Sequence, residues 1–136
     1  MKIAFQMDPI GDVNIDADSS FRLAEEAQAR GHELFFYTPD HLAYQEGKIT
    51  ARGHVFTVQR IQGDHAQLGP EIEVDRSDYD VFWLRQDPPF DMHYITSTHL
   101  LDRLKETTLV VNYPFWVRNY PEKLLVLDFP DLTPPT

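Results

Sequence analysis

Residues 81–91 read Val-Phe-Trp-Leu-Arg-Gln-Asp-Pro-Pro-Phe-Asp, so four apolar residues are followed directly by a polar turn with two prolines. An apolar run of this length is typical of a central strand in a parallel sheet that is covered on both faces. Such sheets bind their ligands at the carboxyl ends of the strands. Pro88 and Pro89 fix two successive φ angles and bias Asp87 towards an extended backbone, which makes the turn stiff. The stretch therefore predicts a rigid ligand-binding turn that carries Arg85 and Asp87.

Two strand–helix–strand units supply the rest of the predicted sheet. The first comprises a strand at 3–7, a polar loop at 8–18, a helix at 19–30 and a strand at 33–37. The second comprises a strand at 79–84, a helix that begins after Asp91 and a strand at 109–111. Crossovers of this kind are parallel and right-handed in nearly all known cases. We therefore expect an α/β fold with an open, mainly parallel sheet flanked by helices.

Residues 40–78 differ from this pattern. Glycine-containing turns and a β-rich run at 55–61 predict a β-ribbon excursion between the two units. Its polar and apolar residues alternate only loosely, so the pattern does not indicate which face of the ribbon is buried. Residues 129–136 have the composition of a linker. We expect a domain at 1–128, followed at 129–136 by the start of a linker.

The composition narrows the class of protein. The chain has 136 residues, about the length of one domain, with 22 acidic and 12 basic side chains and a formal net charge of −10. This charge opposes binding to nucleic acid and to anionic membranes, so we expect neither as a partner. An acidic residue already at Asp8 argues against a signal peptide, and no apolar run approaches the roughly 20 residues that span a bilayer. Because the sequence contains no cysteine, we expect a cytoplasmic protein without a disulfide framework.

The carboxyl ends of parallel strands share one edge of a sheet, and this edge should gather polar residues from distant parts of the sequence. These residues are Asp8 and Asn14 after the first strand, Arg85 and Asp87 after the strand at 79–84, and Asn112 after the last strand. A guanidinium at this edge can bind a carboxylate or a phosphate in a bidentate manner, which favours a small anionic ligand. An alternative is that Arg85 and Asp87 only close their own turn and that Asp8 only forms a turn.

Other common sites are not indicated. The six histidines include no pair at the i, i+4 spacing of a helical metal site, so we expect no metal site among them. The loop after the first strand contains neither G-x-G-x-x-G nor a Walker pattern, which disfavours a dinucleotide-binding fold.

Several motifs occur together along the chain in an order that is specific to one family. They are Met7-Asp8-Pro9-Ile10, Asn14-Ile15, Asp18-Ser19-Ser20-Phe21, Arg85, Asp87-Pro88-Pro89-Phe90-Asp91, Val111-Asn112, Glu122-Lys123-Leu124 and Asp131-Leu132-Thr133-Pro134. With these motifs, which span nearly the whole chain, it resembles the N-terminal domain of bacterial glutathione synthetase. The resemblance implies a three-layer α/β domain of the type that precedes an ATP-grasp region.

The same resemblance implies a reaction and its participants. Members of the family join γ-glutamylcysteine to glycine: ATP and Mg²⁺ serve to phosphorylate the peptide's carboxylate, and the glycine amine then attacks the acyl phosphate. The implied substrate contacts in this sequence are Arg85, Asn14, Ser20, Asn112, Asp8 and Asp87. Lys123 resembles a lysine that reaches ATP. The ATP-grasp region would carry most of the nucleotide and magnesium site, and the enzyme is expected to be a homo-oligomer.

Three functions are open on the sequence alone. The first is the substrate-binding domain of a glutathione synthetase, which we do not expect to catalyse ligation by itself because it lacks the groups that bring ATP to the acceptor. The second is a stand-alone module that binds small molecules or mediates assembly. The third is a related ATP-grasp peptide ligase with another acceptor amino acid.

Overall fold

The computed structural model describes residues 1–75, 78–104 and 106–134. Within them, the strands are β1 (Lys2–Gln6), β2 (Glu33–Tyr37), β3 (Leu42–Gln45), β4 (Lys48–Val58), β5 (Ala66–Asp75), β6 (Val81–Leu84) and β7 (Leu109–Val111). The α-helices are α1 (Ser19–Ala29), α2 (Met92–Leu101), α3 (Pro114–Asn119) and α4 (Glu122–Leu125). Every helix in this part of the chain is too short or too polar to cross a membrane.

The centre of the sheet is parallel. Among the described residues the strand order is β3–β4–β2–β1–β6–β7, with β5 paired to β4. β1 runs parallel to β2 and to β6, and β6 runs parallel to β7. Gln6 stands opposite Tyr37 on one side and Leu84 on the other, so the last residues of three strands form one row. The predicted α/β fold is confirmed, and the loops after β1, β2, β6 and β7 leave the sheet at the same edge.

The segment predicted as a β-ribbon continues the main sheet. β4 pairs antiparallel with β2, and both β3 and β5 pair antiparallel with β4. The register of β4 against β5 shifts between His54 and Phe56. Ile49 and Ala51, before this bulge, are buried on one face of the sheet. Phe56 and Val58, after it, are buried on the other face. The extra residue lies in β5, where three steps from Glu71 to Leu68 face two steps from His54 to Phe56, so β4 keeps its regular alternation. The sequence pattern is loose because odd-numbered residues are buried in the first half of β4 and even-numbered residues in its second half.

Helices cover both faces of the parallel centre. Phe21 and Ala24 of α1 belong to the same hydrophobic core as Phe5 of β1. Leu101 of α2 belongs to the core that contains Ala4. Ala4 and Phe5 are adjacent in β1 and therefore point to opposite faces of the sheet. The domain thus has three layers, with α1 and α2 on opposite sides of the strands.

Both covering helices begin at an aspartate that caps the first turn. Asp18 accepts a hydrogen bond from the backbone N–H of Phe21 at 2.7 Å. Asp91 accepts hydrogen bonds from the backbone N–H groups of His93 and Tyr94 at 2.9 and 3.0 Å. Each cap stabilises its helix by about 1 kcal/mol. The loop after β1 leads to the cap of α1, and the turn after β6 leads to the cap of α2. The first turns of both helices therefore lie at the carboxyl edge of the sheet.

Candidate functional site

Five of the predicted site residues line one cavity at the carboxyl edge of the sheet. The cavity has a volume of about 330 Å³, and its lining includes Asp8, Asn14, Ser20, Arg85 and Asp87. The loop after β1 supplies the first two residues, the first turn of α1 supplies Ser20, and the turn after β6 supplies the last two. The parallel sheet therefore brings together loops that are far apart in the sequence.

Arg85 is held at this cavity by hydroxyl groups. Its Nε donates a hydrogen bond to Ser20 Oγ at 3.0 Å, and its Nη2 donates to Ser19 Oγ at 2.5 Å. Within the described part of the chain, Arg85 takes part in no ion pair, so a pairing of Arg85 with Asp87 is not what closes the turn. Because both partners are neutral hydroxyls, they do not offset the positive charge of the guanidinium, and an anionic ligand can bind to it.

Asp8 and Asp87 connect the two loops. A carboxylate oxygen of Asp8 accepts a hydrogen bond from the backbone N–H of Asp87 at 2.6 Å. Asp8 therefore acts beyond its own turn, since it joins the loop after β1 to the turn after β6. Both carboxylates are exposed at the cavity that Arg85 also lines.

The turn between β4 and β5 supports the loop that carries Asn14. Gln62 Oε1 accepts a hydrogen bond from the backbone N–H of Ile15, and Gln62 Nε2 donates to the carbonyl of Val13, both at 3.1 Å. His65 is buried, and its Nε2 lies 2.6 Å from the carbonyl oxygen of Ile10. Sequence patterns did not indicate this role of the ribbon, because the contacts join segments about fifty positions apart.

Asn112 and Lys123 lie at a second, neighbouring cavity. This cavity has a volume of about 610 Å³, and Gln86, Pro88, Phe90 and Tyr94 also line it. Burial raises the pKa of the Tyr94 hydroxyl above its ordinary value, so this hydroxyl is a neutral donor at pH 7. The turn after β6 separates the two cavities, with Arg85 and Asp87 at one and Gln86 and Pro88 at the other. The structure therefore places Asn112 and Lys123 on the same edge as Arg85 but in a different depression.

A buried polar network lies beneath this edge. Gln6 is fully buried, and its Oε1 accepts a hydrogen bond from the hydroxyl of Tyr37 at 3.0 Å. Its Nε2 donates to Ser97 Oγ of α2 at 3.2 Å and to Oε1 of Gln86. Burial raises the pKa of Tyr37 well above its ordinary value, which keeps this hydroxyl protonated. The sequence did carry one signal for the network, since an amide inside an apolar strand requires a buried partner.

The ionisable side chains that the structure describes near the site lack the arrangement that a metal ion requires. His93 Nε2 lies 2.7 Å from a carboxylate oxygen of Asp40, and both side chains are largely exposed. Among the described residues, no group of three or more histidine, aspartate or glutamate side chains is arranged to hold a metal ion.

Comparison with known proteins identifies the family. The model of the N-terminal domain of prokaryotic glutathione synthetase matches residues 1–118. The glutathione synthetase of Brucella melitensis biotype 1 is 55% identical over 136 residues, which cover 100% of this chain and 44% of that protein. The glutathione synthetase of Mesorhizobium japonicum is 54% identical, with 100% of this chain and 44% of that protein covered. That of Salmonella typhimurium is 39% identical over 137 aligned positions, with 100% and 44% covered.

The chain thus spans less than half the length of these relatives, at 44% of each. The matched residues 1–118 include the parallel centre of the sheet, α1, α2 and all the cavity residues except those of α4 and its approach. On this evidence, the chain belongs to the family of N-terminal domains of prokaryotic glutathione synthetases.

Proposed function

We propose that this chain forms one wall of the active site of a glutathione synthetase, the ATP-dependent ligase that joins γ-glutamylcysteine to glycine. Membership of the family and the names of its relatives support the proposal. We assign the substrate-binding domain to residues 1–128 and the start of a linker to residues 129–136. The ATP-grasp region that the family resemblance implies is the partner of this domain, and we expect no ligation by the domain alone because it would lack the means to bring ATP to the acceptor.

The observation that carries the proposal is the state of Arg85. In a chain with a formal net charge of −10, a cation at the ligand-binding edge is held by two serine hydroxyls rather than by a carboxylate. Such a guanidinium can bind a carboxylate of γ-glutamylcysteine and hold it in place for reaction. Asn14 and Ser20 line the same cavity and complete its polar wall.

The neighbouring cavity suits a phosphate group. Lys123 supplies a cation there and Asn112 an amide, so we propose that Lys123 contacts ATP and that Asn112 contacts the peptide substrate. When it is bound, ATP supplies the phosphoryl group that activates the peptide's carboxylate. The described residues offer no cluster of ligands that fits Mg²⁺, and we therefore assign the magnesium site to the ATP-grasp region.

We further propose that the enzyme is a cytoplasmic homo-oligomer. A chain without cysteine suits a reducing compartment. Val55 and Ile72 are exposed apolar residues on the same face of the ribbon strands, and they provide a surface of the kind that subunits bury. Gel filtration with light scattering tests the subunit number directly, and a monomeric mass would contradict this part of the proposal.

Turnover by the full-length enzyme tests the main proposal. Purified protein is incubated with ATP, Mg²⁺, γ-glutamylcysteine and glycine, and both glutathione and released phosphate are measured. We expect product only when all four components are present. Absence of turnover that depends on γ-glutamylcysteine would refute the proposal, and a preference for another amino acid over glycine would indicate a related peptide ligase.

A further inference from the structure

Gln86 occupies the boundary between two depressions at the carboxyl edge. It follows Arg85 in the turn after β6 and lines the cavity of about 610 Å³ that Asn112 and Lys123 also line. It also lines an adjoining depression of about 300 Å³ that contains Asp8 and Asp87. The sequence motifs did not single out this residue, and its role depends on how its side-chain amide is oriented.

The hydroxyl of Ser97 determines part of that orientation. Ser97 Oγ lies 2.8 Å from the carbonyl oxygen of Tyr94 and 3.3 Å from Gln86 Oε1, and both of these atoms are acceptors. A serine hydroxyl has a single proton, which it can give to either acceptor. Towards Gln6 Nε2, at 3.2 Å, Ser97 Oγ therefore acts as the acceptor.

The donors and acceptors of the Gln6 side-chain amide follow from this assignment of Ser97. Its Oε1 accepts the proton of the Tyr37 hydroxyl at 3.0 Å. One N–H of its Nε2 donates to Ser97, and the other donates to Oε1 of Gln86. The three hydrogen bonds of the Gln6 amide therefore have one consistent set of donors and acceptors, whichever acceptor takes the proton of Ser97.

The network therefore fixes the orientation of the Gln86 side-chain amide, with its oxygen towards Gln6. Its Oε1 is occupied by Gln6, so its Nε2 is the atom left to point away from the network. In the described part of the chain, the buried side-chain atoms without a partner belong to His65, Asp102 and Arg118, and Gln86 Nε2 is not among them. Among the described residues, the side-chain hydrogen bonds of Gln86 involve only its oxygen, so Nε2 is an accessible, unengaged donor of a residue that lines both cavities.

We infer that Gln86 Nε2 donates a hydrogen bond to an oxygen of bound substrate, and that Gln6 and Ser97 are positioning residues that aim this donor. The inference rests on the proposed function, because it takes the occupants of the cavities to be the substrates of the ligase. The oxygen belongs to a carboxylate of the peptide or to a phosphate of ATP, and both are strong acceptors for an amide N–H. Gln86 thus adds a neutral donor between Arg85 and the residues around Lys123.

The substitution Gln86→Glu tests this role in the full-length enzyme. Glutamate keeps an oxygen for Gln6 but replaces the outward N–H₂ group by a negative oxygen that repels a substrate anion. Losing a hydrogen bond to a charged group should raise the KM of the substrate that carries the acceptor by about tenfold or more. The KM values of γ-glutamylcysteine, ATP and glycine are measured separately, so the affected substrate identifies the source of the oxygen.

The matched control is Gln67→Glu, which makes the same chemical change at an exposed position of β5. We expect all three KM values of this control to stay at those of the parent, and both variants to unfold at the parent temperature. If Gln86→Glu does not fold, Gln86→Met decides, because it also removes the donor but adds no charge. An active parent with unchanged KM values in the folded Gln86 variant overturns this inference alone. A parent without turnover overturns the proposed function as well.

Discussion

Replacement of Arg85 by alanine in the full-length enzyme should lower kcat/KM for γ-glutamylcysteine by about 10- to 150-fold. This range corresponds to the loss of about 1.5–3 kcal/mol from a hydrogen bond between a charged donor and the substrate's carboxylate. The fold should survive, since the side chain of Arg85 contacts Ser19 and Ser20 and belongs to neither hydrophobic core. We expect a loss of about 1 kcal/mol in the free energy of unfolding. Steady-state kinetics and urea unfolding of parent and variant measure the two effects.

The control for this variant is Arg52→Ala. Arg52 forms an ion pair with Glu71 at 3.6 Å on the ribbon, and the two side chains are 56% and 50% exposed. An exposed pair of this kind contributes about 0–1 kcal/mol, so the control should match the parent in both assays. A folded Arg85→Ala enzyme whose kcat/KM lies within about twofold of the parent value would remove Arg85 from the site. Arg85→Lys should fall between parent and alanine variant, because it keeps the charge but loses the planar fork.

The fold can be tested at three further positions. Gly53→Ala should lower the free energy of unfolding by about 3 kcal/mol or more, because the added Cβ would lie 2.1 Å from the carbonyl oxygen of Phe36; urea unfolding measures this, and an unchanged midpoint would contradict the close approach of β4 to β2. Gln62→Ala should speed hydrogen exchange at the backbone N–H of Ile15, whose acceptor it removes, and should cost about 1–2 kcal/mol of stability; equal exchange rates would mean that this contact does not hold the loop. Burial raises the pKa of Tyr79 from 10.0 to about 12. The folded protein thus keeps this proton longer than the unfolded chain, so the associated stability is complete below pH 10.0 and is lost as the pH rises towards about 12. Tyr79→Phe should flatten that alkaline loss in unfolding scans, and an equally steep loss would assign it to another group.

The parallel centre of the domain was predictable because its signals are local. The strands at 3–7, 33–37 and 81–84 bury apolar residues on both faces of the sheet, and such strands need no partner information to be identified. The predicted strand at 109–111 agrees with β7 in the structure. The aspartates before α1 and α2 signal the helix starts through their capping preference. Shared strand direction then places the loops at one edge.

The remainder depends on contacts between distant residues. The buried face of β4 changes between Ala51 and Phe56 because different layers cover the two halves of the strand, and nothing in the adjacent residues specifies where that change occurs. Gln6 can be recognised as a polar residue in an apolar strand, but its partners lie 31 to 91 positions away. The support that Gln62 gives to the loop after β1 likewise spans about fifty positions. The division of the site into separate depressions therefore could not be obtained from sequence patterns.

Gln6 also determines how the central strands are aligned. In the observed alignment Gln6 pairs with Tyr37 of β2, and its side chain points to the face of the sheet that α2 covers, where it bonds Ser97. A shift of β1 by one residue would turn Gln6 towards the apolar face that Phe21 covers, and an amide left there without a partner would cost about 1–3 kcal/mol. A few hydrogen bonds at the end of one strand therefore give the sheet a unique pairing, and any mutation that removes them should broaden the set of structures the chain can adopt.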